Sequence, residues 1–391
     1  MSWPEEVYKT IKRLNGVKTT LKEMFTARDR AVDLLVLATV CREHLLFIGP
    51  PGTAKTEIIN QYTQLLDARG FHYLLTRFTE PSELFGPLDL EKFQQGTYTI
   101  RTERMLPDAQ IAFIDEVFQG SSAILNSLLT LLNERVFHNG AERQVVPLIS
   151  MIGASNMVPD DPWLRAFADR FVLRLELQSV EDDQIDDLLG QGWQLERDRV
   201  EAAVRAARGE MVGKTLRSVK IEDVLDLHAR LLEVDHSGIR KEYGQLIREL
   251  KAEGVDLSDR RIVKGLKLVA GAAILRESNT AAIQDLWPLL HMWGKPEEAE
   301  VMRSVITPRL AEAGDSTLDL ARPVVDIMMD LDVLVNQESL VITESAIGAF
   351  LMALNKLRRE LINNHPSDKE SQQKVEEVIK RGLHRLEGKN V

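Results

Sequence analysis

The sequence predicts an α/β protein in which a parallel sheet is covered by helices and followed by a part built of helices alone. Three observations carry this. Short apolar runs such as HLLFIG, IAFIDE and PLISMIGASN, each ending in turn or polar residues, read as buried strands. Segments of helical period separate them, which is the pattern of βαβ units with a parallel sheet. From about Val180 the strand runs stop, and acidic amphipathic helical segments continue to the C-terminus.

The elements follow in order. Residues 1–43 read as helical, with apolar residues at helical spacing in DRAVDLLVLA. HLLFIG is the first strand and residues 55–66 return to helix. FHYLLTRF reads as a second apolar strand. In residues 90–104, LEKFQQGTYTIRTER, a glycine divides two strand-like halves and predicts a β-hairpin. IAFIDE is the next strand and AILNSLLTLLNERVF a helix. VFHNGAERQVV carries Asn139-Gly140, a strong hairpin signal. PLISMIGASN and RFVLRLEL complete the sheet. Composition changes near 180 and the WGKP turn at 293–296 place domains at 1–179, 180–293 and 294–391. A last helix carries Val375, Val378, Ile379, Leu383 and Leu386 on one stripe, suited to packing or to docking a partner.

Composition bounds the function. The 391 residues carry a net charge of −11, which offers no general electrostatic footprint for nucleic acid or anionic membrane. One cysteine, Cys41, excludes an internal disulfide and, with eight histidines at no metal-ligand spacing, a structural zinc site. Its apolar surroundings suit core packing. The N-terminus lacks a signal-peptide core, and no run reaches the roughly 18 apolar residues of a membrane span. The expected setting is the cytoplasm.

The chemistry starts at GPPGTAKT. Gly49, Pro50, Pro51, Gly52, Thr53, Ala54, Lys55, Thr56 and the following Glu57 form a strand–loop–helix segment. It matches the phosphate-loop pattern, with alanine where the last glycine stands. Backbone N–H groups at a helix N-terminus favour phosphate. Lys55 would neutralise the outer phosphates and Thr56 would offer its hydroxyl to Mg2+. Ala54 adds one methyl, tolerable where the dihedrals are ordinary. In IAFIDE, Asp115 would hold Mg2+ through its water shell, and Glu116 would orient or deprotonate the attacking water. Asn156, ending the next strand, would hold that water with Glu116. Arg170 in AFADRF suits an arginine that neutralises transition-state charge, with Arg165 as competitor. In SDRR, Ser258 caps a helix and places Arg260 in its first turn, within reach of a nucleotide between two domains.

This constellation resembles the AAA+ ATPases, and within them the MoxR family. GPPGTAKT, RFTEPSELFGPLDL, LPDAQIAFIDE, LLTLLNERVFHNG and GASN look like MoxR stretches in the same order, alanine included. SDRR and the NER-F-NGA stretch look most like the branch of the regulatory ATPase variant A proteins. The resemblance covers roughly residues 25–280. It implies an αβα nucleotide domain, a helical lid after 180, a helix-2 insert near 90–104 and a pre-sensor-1 hairpin near 136–146. It gives Asn156 the sensor 1 role, Arg260 the sensor 2 role, and Arg170 the finger that reaches a neighbouring subunit. It implies ATP and Mg2+, a ring of self-associated subunits, typically hexameric, and chaperone-like remodelling of a protein client, often with a von Willebrand A domain partner. That branch carries a large β-rich insertion in its C-terminal half, where this chain reads as helices. The expectation is therefore a Mg-ATP-hydrolysing motor acting on protein. The rivals are a motor or loader acting on nucleic acid, and a nucleotide-gated scaffold without turnover.

Overall fold

A computed structural model describes residues 3–180, 184–208, 219–313, 324–337 and 369–387, with scattered positions between 347 and 361. The chain opens with α1 (Glu5–Met24) and α2 (Asp29–Cys41), then β1 (Leu45–Ile48), α3 (Lys55–Leu65) and β2 (Gly70–Leu74). Two short helices, α4 (Pro81–Phe85) and α5 (Leu90–Gln94), precede β3 (Ile111–Asp115), α6 (Ser122–Glu134) and the hairpin of β4 (Val136–Asn139) and β5 (Glu142–Val145). β6 (Ser150–Ser155), α7 (Pro162–Ala168) and β7 (Leu173–Glu176) complete this part.

The five-stranded sheet runs β2-β3-β6-β1-β7, with every pairing parallel. Its three inner strands are buried almost throughout, as their continuous apolar runs require. β2 is different. It is an edge strand whose residues alternate between exposed and half-buried, so the expected apolar strand at FHYLLTRF is shorter and more open than its composition suggests. α2 is buried along nearly its whole length, because it packs against α1 and against helices that follow the last strand of the sheet. Cys41 lies at its end with no exposure, and burial pushes its thiol up to about 12.

The expected hairpin at residues 90–104 is not formed. Asp89 accepts from the N–H groups of Glu91 and Lys92 and caps α5, and one bridge, Leu88 to Ile100, is all the pairing that remains. LEKFQ contains no β-branched residue, so a good cap decides for helix. The second hairpin forms as the Asn139-Gly140 signal predicts. Gly140 has φ 63°, and a Cβ there would stand 2.0 Å from the Tyr98 carbonyl oxygen. The Asn139 amide accepts from Ile100 N at 2.7 Å and donates to Ile100 O at 3.0 Å, acting as a strand partner and tying the insert to the hairpin.

The helical part comprises α8 (Ile185–Ala207), α9 (Ile221–Arg230), α10 (Arg240–Ala252), α11 (Asp259–Leu275) and α12 (Pro296–Glu312). Ser258 caps α11 by accepting from Arg261 N, as expected. Glu43, at the end of α2, is buried and takes ion pairs from Lys264 and Lys267 of α11. Residues 1–314 form one compact unit and residues 315–391 a second. In the second, α13 (Val324–Gln337) and α14 (Lys369–Glu387) share a core in which Ile327, Leu331, Val375 and Val378 are buried and Ile379 packs against them. That part of the terminal stripe is therefore packing. The side chains of Leu383 and Leu386 lie outside the described residues.

Candidate nucleotide site

Parallel strands put all their carboxyl ends on one edge of the sheet. The loop after β1, Asp115 at the end of β3 and Asn156 after β6 therefore meet there, on three adjacent strands. Gly49 has φ 144°, its N–H donates to Ser155 O at 3.0 Å, and a Cβ would stand 2.0 Å from the Leu177 carbonyl oxygen. Only glycine fits. Gly52 follows with φ 84°. Ala54 departs from expectation. Its φ of 63° and ψ of 17° are left-handed, the conformation that disfavours a Cβ, so the condition of ordinary dihedrals is not met. α3 begins at Lys55 with no side-chain cap, which leaves first-turn N–H groups for an anion.

Lys55 is buried, and its Nζ donates to Gly49 O and Pro50 O, both at 2.8 Å, and to Thr53 Oγ1 at 3.4 Å. These oxygens stand where phosphate oxygens would compete for the ammonium. Burial lowers the Lys55 pKa, against the pull of Asp115 and Glu116. Asp115 Oδ1 accepts from Glu116 N at 3.0 Å. Glu116 is itself left-handed at φ 50°. Its Oε1 accepts from Asn156 Nδ2 at 3.1 Å. The carboxylate and the amide are thus joined. Glu57 faces elsewhere. It takes an ion pair from Arg199 of α8 and accepts from Gln61 Nε2 at 2.9 Å, beside a cavity between α3 and β2.

One residue of this edge escaped the sequence reading. Arg28 is buried, and its guanidinium donates to Thr53 O at 3.1 Å in the phosphate loop, to Gln178 O at 2.9 Å where β7 leaves the sheet, and to Ala27 O at 2.8 Å. Burial lowers its pKa. Its partners are backbone carbonyls, which carry no sequence signature.

The arginines lie at the other edge. Leu45 pairs with Leu173, so Arg170, three residues before Leu173, sits beyond the amino ends of the strands. The four residues of β1 alone separate the two edges by about 13 Å. Arg170 lies 3.9 Å from Asp169, and burial lowers its pKa, with Arg260 adding to the effect. Arg260 reaches the same carboxylate, with Nη2 2.6 Å from Asp169 Oδ2. Arg261 is buried with Nε 3.5 Å from Asp169 Oδ1. Arg165 is spent on an exposed pair with Asp160 at 2.7 Å. The expectation that Arg260 faces the nucleotide of its own chain does not match this placement, because its carboxylate partner holds it at the edge away from the loop.

The donor set fits Mg-ATP. The Thr56 hydroxyl and the Asp115 carboxylate are hard oxygen ligands, and Mg2+ takes one or two such ligands with phosphate and water completing its shell. Among the described residues no group of three or more His, Cys, Asp or Glu forms a site of its own, and none is required.

Comparison with known proteins bears on the family and the fold. Residues 12–215 match the family model described as the MoxR domain in the MoxR-vWA-beta-propeller ternary systems. An uncharacterized protein of Methanocaldococcus jannaschii is 35% identical over 73% of this chain and 72% of its own length. Chaperone MoxR1 of Mycobacterium tuberculosis is 21% identical over 40% of this chain and 42% of its own. The crystal structure of a protein from Cytophaga hutchinsonii, described provisionally as an ATPase, superposes with a TM-score of 0.60 at 17% identity, covering 78% of this chain and 96% of that one, and shares the fold. With the loop, the acidic strand end and the asparagine on one edge of a β2-β3-β6-β1-β7 sheet, and a family model matching more than half its length, the chain belongs to the MoxR family of AAA+ ATPases.

Proposed function

We propose that this protein hydrolyses Mg-ATP and uses the cycle to remodel or assemble a protein client. The observation that carries the reading is the 3.1 Å bond between Asn156 and Glu116 on the edge that holds the phosphate loop. A carboxylate and a neutral amide so joined can hold one water between them, with the carboxylate accepting its proton as the water attacks phosphorus. Lys55 would exchange the Gly49 and Pro50 carbonyls for phosphate oxygens. Thr56 and Asp115 would hold Mg2+, which when bound offsets charge on the phosphates. Glu116 would take the proton, and the first-turn N–H groups of α3 would hold the outer phosphates.

Arg170 and Arg260 lie about a strand length from this edge, so in the proposed cycle they serve the nucleotide of a neighbouring subunit. This supports an assembly, a hexameric ring in our reading, with each site shared between two chains. The joined insert and hairpin leave Phe93, Tyr98 and Val145 exposed, and we assign client contact to that face. The family description supports a von Willebrand A domain partner. The lone buried cysteine is in keeping with the cytoplasm. Among the described residues no helix is long and apolar enough to cross a membrane.

The test is ATP turnover against protein concentration, with Arg170→Ala mixed into wild type in varying ratio. Specific activity that rises with concentration, and a variant that poisons wild type beyond dilution, are expected. Flat activity per chain with additive mixing would sink the shared site.

A further inference from the structure

Asp169 sits between the last turn of α7 and the arginine that precedes β7, and three guanidinium groups converge on it. Arg260 donates to its Oδ2 at 2.6 Å, Arg261 lies 3.5 Å from its Oδ1, and Arg170 lies 3.9 Å from its Oδ2. These cations come from two parts of the chain. Arg170 belongs to the sheet domain, whereas Arg260 and Arg261 open α11 in the lid, 91 and 92 positions away from Asp169 for the nearer and farther of the two by sequence number. Arg261 is anchored deeper, with Nη2 donating to Val172 O at 3.4 Å. Arg174, also buried, spans the same junction by donating to Ala168 O at 3.0 Å and to Gly294 O.

We propose that Asp169 is a positioning residue that yokes the lid to the finger, setting Arg260 and Arg170 side by side so that both face the same outer phosphate of a neighbouring subunit's nucleotide. The inference rests on the shared-site reading above. Without a central carboxylate, Arg170, Arg260 and Arg261 repel one another, and the two more exposed of them, Arg170 and Arg260, swing apart. With it, any rotation of the lid that moves α11 also moves the finger. The structure therefore couples lid angle in one subunit to catalysis in the next. A planar, forked guanidinium suits this arrangement, because one edge can hold Asp169 while the other stays free for phosphate.

The test uses the full-length chain carrying Asp169→Asn. Turnover and the affinity for N-methylanthraniloyl-ATP are measured separately, and the variant is titrated into wild type. The expected result is a kcat lower by about 10²-fold, the loss that a misplacement of about 1 Å produces. The nucleotide Kd should stay within about twofold, because the phosphate loop and the Thr56 and Asp115 oxygens are unchanged and the two guanidinium groups act mainly on charge that develops in the transition state. Mixing should poison wild type along the same curve as Arg170→Ala. A purely structural role predicts the opposite pattern: an unfolded variant leaves the assembly and does not poison it. If Asp169→Asn loses cooperative unfolding, Asp169→Glu carries the test, keeping the charge but moving it by one methylene, with a kcat again lower by about 10²-fold at a Kd within about twofold. Wild-type kcat in the Asp169 variants, beside large losses in Arg170→Ala and Arg260→Ala, would overturn the yoke alone. Wild-type turnover in Arg170→Ala and Arg260→Ala would remove the shared-site reading and the yoke with it.

Discussion

Replacing Ala54 by glycine separates two accounts of the phosphate loop by the sign of a stability change. At φ 63° and ψ 17° alanine carries a left-handed backbone, which costs an L-residue roughly 1–2 kcal/mol. Glycine adopts it freely but loses more chain entropy on folding, which costs about 0.4–1 kcal/mol. The difference predicts that Ala54→Gly stabilises the protein by roughly 0.5–1 kcal/mol. Ala54→Val should destabilise it, because a β-branched residue is a genuine outlier there. The assay is urea unfolding of the three proteins without nucleotide, comparing midpoints at constant m-value. The expected order is glycine above alanine above valine. Had Ala54 ordinary dihedrals, glycine would lower stability by about 0.4–1 kcal/mol instead. A midpoint that falls in Ala54→Gly would therefore refute the left-handed assignment.

Three further outcomes are expected. Glu116→Gln should bind nucleotide and lose turnover, because the amide keeps the contact to Asn156 but cannot accept a proton; full turnover by phosphate release would refute Glu116 as the base. Arg28→Gln should weaken ATP binding about 10-fold, since removing a charged donor from the Thr53 and Gln178 carbonyls costs on the order of 1.5–3 kcal/mol, part of it at the loop. Arg28→Lys should recover little, lacking the fork that spans both carbonyls, and calorimetric titration with ATP decides it. Buried His44 donates from Nε2 to Leu132 O at 3.1 Å and accepts at Nδ1 from Met151 N at 3.0 Å, so its neutral form is the one that fits. Burial holds its pKa well below the ordinary value. The unfolded chain therefore binds more protons below about pH 6.5, and stability falls with falling pH there, by up to about 1.4 kcal/mol per unit. Unfolding midpoints at pH 7.5 and 5.5 should differ, and His44→Gln should reduce that difference; an unchanged slope would refute it.

The phosphate-loop pattern, the acidic strand end, the asparagine and the parallel sheet are all legible in the sequence. Each is written locally, as an apolar run followed by a few polar or small residues, and a parallel sheet then brings such strand ends to one edge without further instruction. The second hairpin was legible for the same reason, through Asn139-Gly140. Residues 90–104 were not, because a central glycine also suits a short helix followed by a turn, and the Asp89 cap decided between them. What lay beyond the sequence is what depends on distant backbone. The left-handed conformation of Ala54 belongs to the turn between β1 and α3, whose path is set by the tertiary structure and not by local pattern. Arg28 acts through carbonyls, which every residue has. Arg260 reads in the sequence as facing its own nucleotide, and the partner that holds it at the opposite edge, Asp169, lies 91 positions away. Local patterning determined which groups stand at the strand ends, and only tertiary packing decided at which edge of the sheet each arginine lies, because that depends on partners distant in the chain.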